Sequence, residues 1–255
     1  MGRVRKTIFE TGEMFSIAIE GFRKTWQIRM WWGEFVEQCN FLVKVTALPV
    51  MLVALPLGAT ISLQVGQFTR QLGAESATGA AVVLGIVREA APLAAALLIS
   101  GAGGSAIAAD MGARNIRDEL AAMEVMSVNP IHRLVTPRLW AASTVGVLLV
   151  SLVIVAGIAG GFFFNVVIQD VSPGAYFQGA FLLLQIQDLG ASMLKAWLYG
   201  FIAAMVSCYK GMNCSRSPVG VGMAVKEAVV TTFILIFAAN YVLTSLYFVL
   251  VPQKL

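Results

Sequence analysis

Charged residues are scarce in this sequence of 255 residues, where 18 Lys and Arg with 14 Asp and Glu make up only 13% of the chain. An ordinary soluble domain carries about 25% charged residues. Hydrophobic residues reach 58% and the mean hydropathy is +0.79, which is more apolar surface than a water-soluble fold of this length can hide. The composition therefore argues against a soluble enzyme, a nucleic-acid-binding protein and a disordered linker.

Residue types that carry metal and nucleophile chemistry are also few. The single histidine is His132, and Cys39, Cys208 and Cys214 show no CxxC spacing, so neither a zinc site nor a histidine-based triad is predicted. Gly-Lys-Ser/Thr, G-x-S-x-G and HExxH are absent from the sequence. We therefore assign no catalytic and no metal-binding residue, and any ATP that the protein uses is expected to be hydrolysed by another chain.

Long uncharged runs are present instead, and they predict an all-α integral membrane protein. A spanning helix needs about 20 apolar residues, and such stretches centre on residues 45–68, 78–108, 139–164, 178–209 and 228–250. Basic residues concentrate before the first stretch and in alternate loops, which places the N-terminus in the cytoplasm and the C-terminus outside. No signal peptide is predicted, because the first forty residues are charged. We expect residues 1–255 to form one multi-pass domain in the cell membrane.

The segment before the first stretch has a different character, since residues 7–32 are too polar to span a membrane. Five apolar residues recur at helical spacing and share one face: Ile8, Phe15, Ile19, Phe22 and Trp26. The pattern predicts an interfacial amphipathic helix within residues 1–40. A helix that docks on a soluble partner is the alternative.

Arg88 and Glu89 interrupt the second apolar stretch and are followed by Pro92. Ionisable residues inside a span are costly and mark candidate functional sites. Adjacent helical residues point about 100° apart, so we expect each to find a partner elsewhere or water in a cavity. The alternative is that both lie near the end of the span and reach the interface. Asp188 and Lys195 share a face of the fourth stretch, where they line a polar path or flank a short periplasmic helix.

Small residues recur at intervals of four in two places, and they predict close approach of helices. The first series is Gly101, Ser105 and Ala109, and the second pair is Gly157 and Gly161. The sequence does not distinguish packing within the chain from packing across a dimer.

Residues 111–135 break the membrane pattern and predict a short amphipathic cytoplasmic helix that stops at Asn129–Pro130. Its charged residues alternate with apolar ones: Arg114, Arg117, Asp118, Glu119 and Glu124 with Ile116, Leu120, Met123 and Val128. Such a design suits a docking surface for a cytoplasmic partner. A solvated loop helix is the alternative.

Three segments together resemble the MlaE/YrbE permease family, the transmembrane subunits of ABC-type lipid transporters that work with MCE proteins. They read REAAPLAAALLISGAGGSAIAADMG, ELAAMEVMSVNPIHRLVTPRLWA and YKGMNCSRSPVGVGMAVKEAVVTT. The likeness extends from about residue 40 to the C-terminus, and the last segment is most similar to permeases of actinobacterial Mce loci.

The resemblance implies an interfacial helix, five spans and a defined set of partners. These are a second permease, expected to be a paralogue, two cytoplasmic ABC ATPases that hold ATP and Mg²⁺, and MCE proteins on the outer side. No cofactor is expected on this chain. The family's coupling helix corresponds to residues 113–128, with ATPase coupling assigned to Arg117, Glu119, Glu124 and Met126. Arg88 and Glu89 correspond to the polar pair of the lipid cavity, although Ala90–Ala91 departs from the usual residues before the proline.

The predicted function is that of a permease half in an ATP-driven lipid transporter. An acidic lipid head is expected to meet Arg88, while the acyl chain lies along apolar walls that include Leu52, Leu55 and Leu57. A fatty acid, mycolic acid or sterol-type substrate follows from the resemblance alone. Two alternatives remain: a proton-coupled secondary transporter with Glu89 as the proton site, and a non-transporting membrane anchor of a surface complex.

Overall fold

The computed structural model describes residues 12–17, 19–21, 28–74, 78–169 and 172–251. Within these ranges the ordered elements are all helices, and five of them are long and apolar enough to cross a membrane. The prediction of an all-α membrane protein is therefore confirmed. In chain order the helices are α1 (Ile28–Gln71), α2 (Thr78–Ile116), α3 (Glu119–Val125), α4 (Ile131–Ile168), α5 (Pro173–Leu183), α6 (Ile186–Met212) and α7 (Pro218–Leu250).

The chain groups into two compact units, each assembled from three separate segments. The first comprises Met1–Val45, Ile99–Val145 and Leu198–Phe237. The second comprises Thr46–Leu98, Gly146–Trp197 and Ala238–Leu255. The coupling segment thus belongs to the first unit, and the Arg88–Glu89 pair belongs to the second.

Three spans begin earlier than the uncharged runs predicted: α1 at Ile28 instead of 45, α4 at Ile131 and α7 at Pro218. At α4 and α7, side chains and proline fix the helix starts. Asn129 Oδ1 accepts the backbone N–H of Ile131 at 2.9 Å, which starts α4 eight residues before the predicted 139. At α7 the first residue is Pro218, whose missing N–H costs nothing at a helix start. The Ser217 hydroxyl accepts the N–H of Gly220 at 3.0 Å and completes this start.

The predicted fourth span, 178–209, is wrong in its first part, because two helices occupy this stretch. The shorter helix α5 ends at Leu183, and the spanning helix α6 begins at Ile186. Asp188 causes the interruption, since its Oδ2 accepts the backbone N–H of Gln185 at 2.9 Å. A carboxylate that satisfies a donor just before the first turn favours a new helix start there.

The N-terminal segment is helical at residues 12–17 and 19–21. Phe15 and Ile19 are exposed, as an interfacial helix requires, whereas Met14 is buried. Glu13 accepts a hydrogen bond from the Tyr209 hydroxyl at 2.8 Å. Three residues of the predicted apolar face lie outside the described residues: Ile8, Phe22 and Trp26.

Glycines bring α1 and α4 into close contact in the second unit. A Cβ on Gly58 would overlap the backbone carbonyl of Gly157, and a Cβ on Gly161 would lie 3.1 Å from Tyr176 Oη. The predicted Gly157–Gly161 pair therefore lies at a helix crossing within the chain. By contrast, a Cβ on Gly101 would meet nothing within 4 Å in the described part of the chain, and Ser105 and Ala109 are half-buried.

Candidate functional site

Arg88 and Glu89 lie on a π turn of α2, the segment Ile86–Ala90. The backbone N–H of Ala91 donates to the carbonyl of Ile86, five residues back, instead of the usual four. Such a turn inserts an extra residue into the helix and often occurs at functional sites. Here it carries the polar pair that the sequence singled out.

Arg88 forms an ion pair with Asp188 at the start of α6. The Nε atom of Arg88 lies 2.6 Å from Oδ1 of Asp188, whose side chain is fully buried. The Tyr247 hydroxyl on α7 hydrogen-bonds to the same carboxylate oxygen. The Arg88 guanidinium also lies 5.7 Å from the centre of the Tyr247 ring, which is a cation–π distance.

Glu89 forms a second ion pair, with Lys195, which lies about two turns after Asp188 on α6. The Nζ atom of Lys195 lies 2.8 Å from Oε1 of Glu89 and also donates to the carbonyl of Arg88 at 3.0 Å. From α7, Thr244 donates to Oε1 of Glu89 at 2.8 Å and Asn240 donates to Oε2 at 3.1 Å. Three helices of the second unit therefore meet at one carboxylate.

The four charges form a closed network with no net charge. Side-chain exposure is 19% for Arg88, 0% for Asp188, 6% for Lys195 and 39% for Glu89. Pairing offsets the cost of removing these charges from water. The cavity beside them measures about 10 Å³, room for roughly one water molecule. In this arrangement the network fastens the π turn of α2 to α6 and α7, and this cavity is too small for a lipid headgroup.

The coupling segment forms a helix of only seven residues, α3, in the first unit. The predicted range 113–128 is too long, because α2 continues to Ile116 and a turn with Asp118 at φ 55° separates the two helices. The predicted stop at Asn129–Pro130 is also too late. Ser127 has φ 61°, and the N–H of Val128 donates to the carbonyl of Met123 at 2.8 Å. This is the arrangement of a helix that ends in a left-handed residue.

The predicted coupling residues divide into two groups. Arg117 Nε lies 2.7 Å from Oε1 of Glu119, so these two residues pair with each other. Glu124 and Met126 point outward with their neighbour Val125, and Val125 is 87% and Met126 66% exposed. Next to them lies a groove of about 390 Å³ lined by Glu124, Ser127, Val128, Asn129, Pro130, Ile131 and Met212.

The family model described as Permease MlaE matches residues 35–246, which run through all five long helices. The chain belongs to the MlaE permease family. It is 35% identical over 191 residues to a probable ABC transporter permease protein of Rickettsia felis, covering 75% of this chain and 74% of the relative. It is 28% identical over 246 residues to a probable ABC transporter permease protein of Synechocystis, covering 96% of this chain and 91% of the relative.

A third relative is the intermembrane phospholipid transport system permease protein MlaE of Haemophilus influenzae. It is 27% identical over 227 residues, which cover 87% of this chain and 85% of that protein. The four charged residues of the network and α3 lie inside the MlaE match.

Three network residues of this MlaE family member are not among the residues predicted from the sequence: Asn240, Thr244 and Tyr247. They follow one another at intervals of four and three, which places them on one face of α7. Three polar residues on one face of an otherwise apolar helix are therefore a signal in the sequence that α7 takes part in a polar contact. The sequence predicts that Asp188 and Lys195 share one helix face, and the structure places both of them against the Arg88–Glu89 turn.

The predicted acyl-chain residues lie apart from this network. Leu52 and Leu55 are exposed, and Leu57 is half-buried. Leu55 lines an apolar groove of about 510 Å³ with Met51, Ser151, Leu152, Val155, Ala156 and Ala159. None of the three leucines lines the small cavity beside the ion pairs. The apolar and polar parts of the predicted path are thus two separate features of the second unit.

Proposed function

We propose that this chain is the transmembrane permease subunit of an ATP-driven lipid transporter. The observation that carries the proposal is the MlaE match, which runs through five apolar helices and contains a charge network inside them. The name of the Haemophilus relative supports a lipid as cargo. A fatty acid, a mycolic acid or a sterol-type lipid is the substrate class that we propose.

The proposed assembly contains two permeases, two ATPases and MCE proteins. The second permease is a paralogue of this chain, and the MCE proteins lie on the outer side. ATP and Mg²⁺ bind to the ATPase subunits, since this sequence has no P-loop. The whole chain serves as one permease domain, with its N-terminus in the cytoplasm and its C-terminus outside. The distribution of basic residues supports that orientation.

We further propose that the network is a closed state of the transport path. An acidic headgroup competes with Asp188 for the Arg88 guanidinium, and both carboxylates favour the same fork of N–H donors. The acyl chain meanwhile lies along the apolar surface that includes Leu52, Leu55 and Leu57. ATP-driven movement of α3 is the event that opens the network, as a rigid-body shift of packed helices.

Lipid uptake in strains that carry Arg88→Ala or Glu89→Ala tests the role of the network. We expect uptake to fall at least about tenfold, the effect of losing about 1.4 kcal/mol of interaction free energy. Arg70→Ala is the matched control, because Arg70 is an exposed arginine of the same unit that donates to the backbone carbonyl of Gln169 and lies outside the network. Normal uptake at normal expression in the Arg88 and Glu89 variants would remove the pair from the path.

The partners are tested separately, by purification in mild detergent followed by mass spectrometry of proteins and bound lipid. We expect an ABC ATPase, a second permease and MCE proteins with the lipid. Uptake that follows a proton gradient without any ATPase would instead favour a secondary transporter. Full uptake in assembled Arg88 and Glu89 variants would favour a membrane anchor.

A further inference from the structure

Arg138 is a fully buried arginine in the first unit, in the first turn of the regular α-helix that α4 forms from Thr136 onward. Its Nη2 atom lies 2.5 Å from Oδ2 of Asp110 on α2 and 3.8 Å from Oε1 of Glu34 on α1. Its Nη1 atom donates to the backbone carbonyl of Leu134 at 2.8 Å. A buried guanidinium needs such partners, because an unpaired charge away from water is strongly destabilising.

The ion pair does not end at Asp110. Oδ2 of Asp110 also lies 3.2 Å from Nε of Arg114, and Nη1 of Arg114 lies 3.4 Å from Oε2 of Glu119. Glu119 is the first residue of α3 and pairs with Arg117 at 2.7 Å. Charges of alternating sign therefore lead from the buried arginine to α3. We call this set the charge chain: Glu34, Arg138, Asp110, Arg114, Glu119 and Arg117.

Apolar packing contributes little to holding α3 in place. Among its seven residues only Leu120 is buried. The backbone connection to α2 is the turn at Arg117–Asp118, in which Asp118 adopts a left-handed conformation. One further ion pair, between Asp118 and Arg216 at 2.7 Å, lies at the surface. A short helix after a turn, with one buried side chain, takes its orientation mainly from the polar contacts at its first residue.

The ion pairs of the charge chain become weaker from its buried end to its exposed end. Arg138 is fully buried and Asp110 is 38% exposed, whereas Arg117 is 59% exposed. Exposed ion pairs contribute little because water and salt screen them. Buried, hydrogen-bonded charge pairs are costly to break. The contact that fixes the geometry is therefore the one between Arg138 and Asp110.

We propose that Arg138 and Asp110 are positioning residues that couple movement of α3 to α1, α2 and α4 through the charge chain. This inference rests on the proposed function, since it assigns α3 as the part that an ATPase moves. A displacement of Glu119 would pull on Arg114 and Asp110, and the buried arginine would pass that displacement to α4. Neither residue is expected to touch the lipid or ATP.

The test uses the complete transporter, reconstituted in liposomes with its ATPase, and measures lipid moved per ATP hydrolysed. Asp110→Asn keeps the size of the side chain and removes its charge. We expect this ratio to fall about tenfold while the ATPase still co-purifies and still hydrolyses ATP, a size typical of coupling between residues in one network. Glu227→Gln is the control, because Glu227 pairs with Lys210 in the same unit but outside the charge chain.

A second pair of variants separates positioning from general destabilisation. Arg138→Lys keeps the charge and should retain most of the coupling, whereas Arg138→Met should lose it. If Arg138→Met does not fold, Glu119→Gln interrupts the charge chain near its exposed end. The combined Asp110→Asn and Glu119→Gln variant should then lose little more than Asp110→Asn alone, because both changes interrupt the same path.

Two results would overturn the inference. One is an unchanged ratio of lipid to ATP in a folded Asp110→Asn variant. The other is full additivity of the Asp110 and Glu119 effects. Failure of the proposed function looks different, since the wild-type protein itself would then show no ATPase-dependent lipid movement.

Discussion

Arg88 and Asp188 lie 100 residues apart in the sequence, yet Nε of the arginine lies 2.6 Å from Oδ1 of the aspartate. The same carboxylate accepts the backbone N–H of Gln185 and a hydrogen bond from the Tyr247 hydroxyl. The Asp188 side chain thus fixes the start of α6, neutralises the arginine of the π turn and holds α7 through the Tyr247 hydroxyl. Stability of the second unit should therefore respond strongly to the charge at this position.

We expect Asp188→Asn to lower the free energy of unfolding by about 3 kcal/mol, because it leaves Arg88 without its buried counter-charge. Asparagine keeps an acceptor for the Gln185 N–H, so the change isolates the charge. Unfolding in mixed detergent micelles measures the effect.

The matching double variant Arg88→Met, Asp188→Leu should recover most of this loss, since replacing both members of a buried pair by apolar residues is often neutral. Glu227→Gln, in an exposed pair with Lys210, should change little. An Asp188→Asn protein as stable as the wild type would contradict the central place of this carboxylate.

Much of the fold was predictable because apolar runs of membrane length have few alternatives to a helix. The ends of the helices were not, since they depend on side chains that a hydropathy pattern does not weigh. Asn129 starts α4 at Ile131, ahead of the charged residues that delay the predicted start to 139. Asp188 divides a stretch that contains enough apolar residues for one span. The local cap prevailed over the average hydropathy in both places.

The site was predictable in part for a similar reason. Arg88 and Glu89 were conspicuous because charge inside a span is expensive. Their partners required knowledge of which helices are neighbours, and Asn240 and Thr244 become relevant only when α7 lies against α2. Arg138 directly precedes the predicted third stretch, 139–164, where a basic residue is expected in a loop, whereas it is fully buried in α4.

We expect Glu124→Lys to abolish co-purification of the ATPase while the permease stays in the membrane. Glu124 is exposed on the last turn of α3 beside Val125 and Met126, and a reversed charge on a docking surface opposes association. Pull-down from detergent-solubilised membranes measures the ATPase that remains bound.

Glu227→Lys provides the control for that experiment, because it makes the same charge change on an exposed residue of the first unit outside α3. It should leave the amount of bound ATPase unchanged. ATPase retained at the wild-type level by Glu124→Lys would refute the assignment of α3 as the coupling helix.

Tyr176→Phe should stabilise the protein by about 1 kcal/mol. The Tyr176 hydroxyl is buried and has no hydrogen-bond partner among the described residues, and an unsatisfied buried polar group costs free energy. Burial raises the pKa of Tyr176 to about 12, so the hydroxyl stays neutral at physiological pH and the effect should not depend on pH.

Tyr247→Phe is the counterpart with the opposite sign, because its hydroxyl bonds to Asp188. A lower melting temperature for Tyr176→Phe would show that the hydroxyl is satisfied by a bound water.

Gly58→Ala should lower the free energy of unfolding by about 2 kcal/mol, the usual cost of overpacking a buried contact. The added Cβ would overlap the backbone carbonyl of Gly157, and backbone at a helix crossing has little room to shift.

Gly101→Ala makes the same chemical change in α2, where the added Cβ would meet nothing within 4 Å in the described part of the chain. We expect it to be neutral or slightly stabilising in the isolated permease, since alanine favours helix over glycine. A Gly101→Ala defect that appears only in the assembled transporter would assign the Gly101–Ser105–Ala109 series to the contact with the second permease.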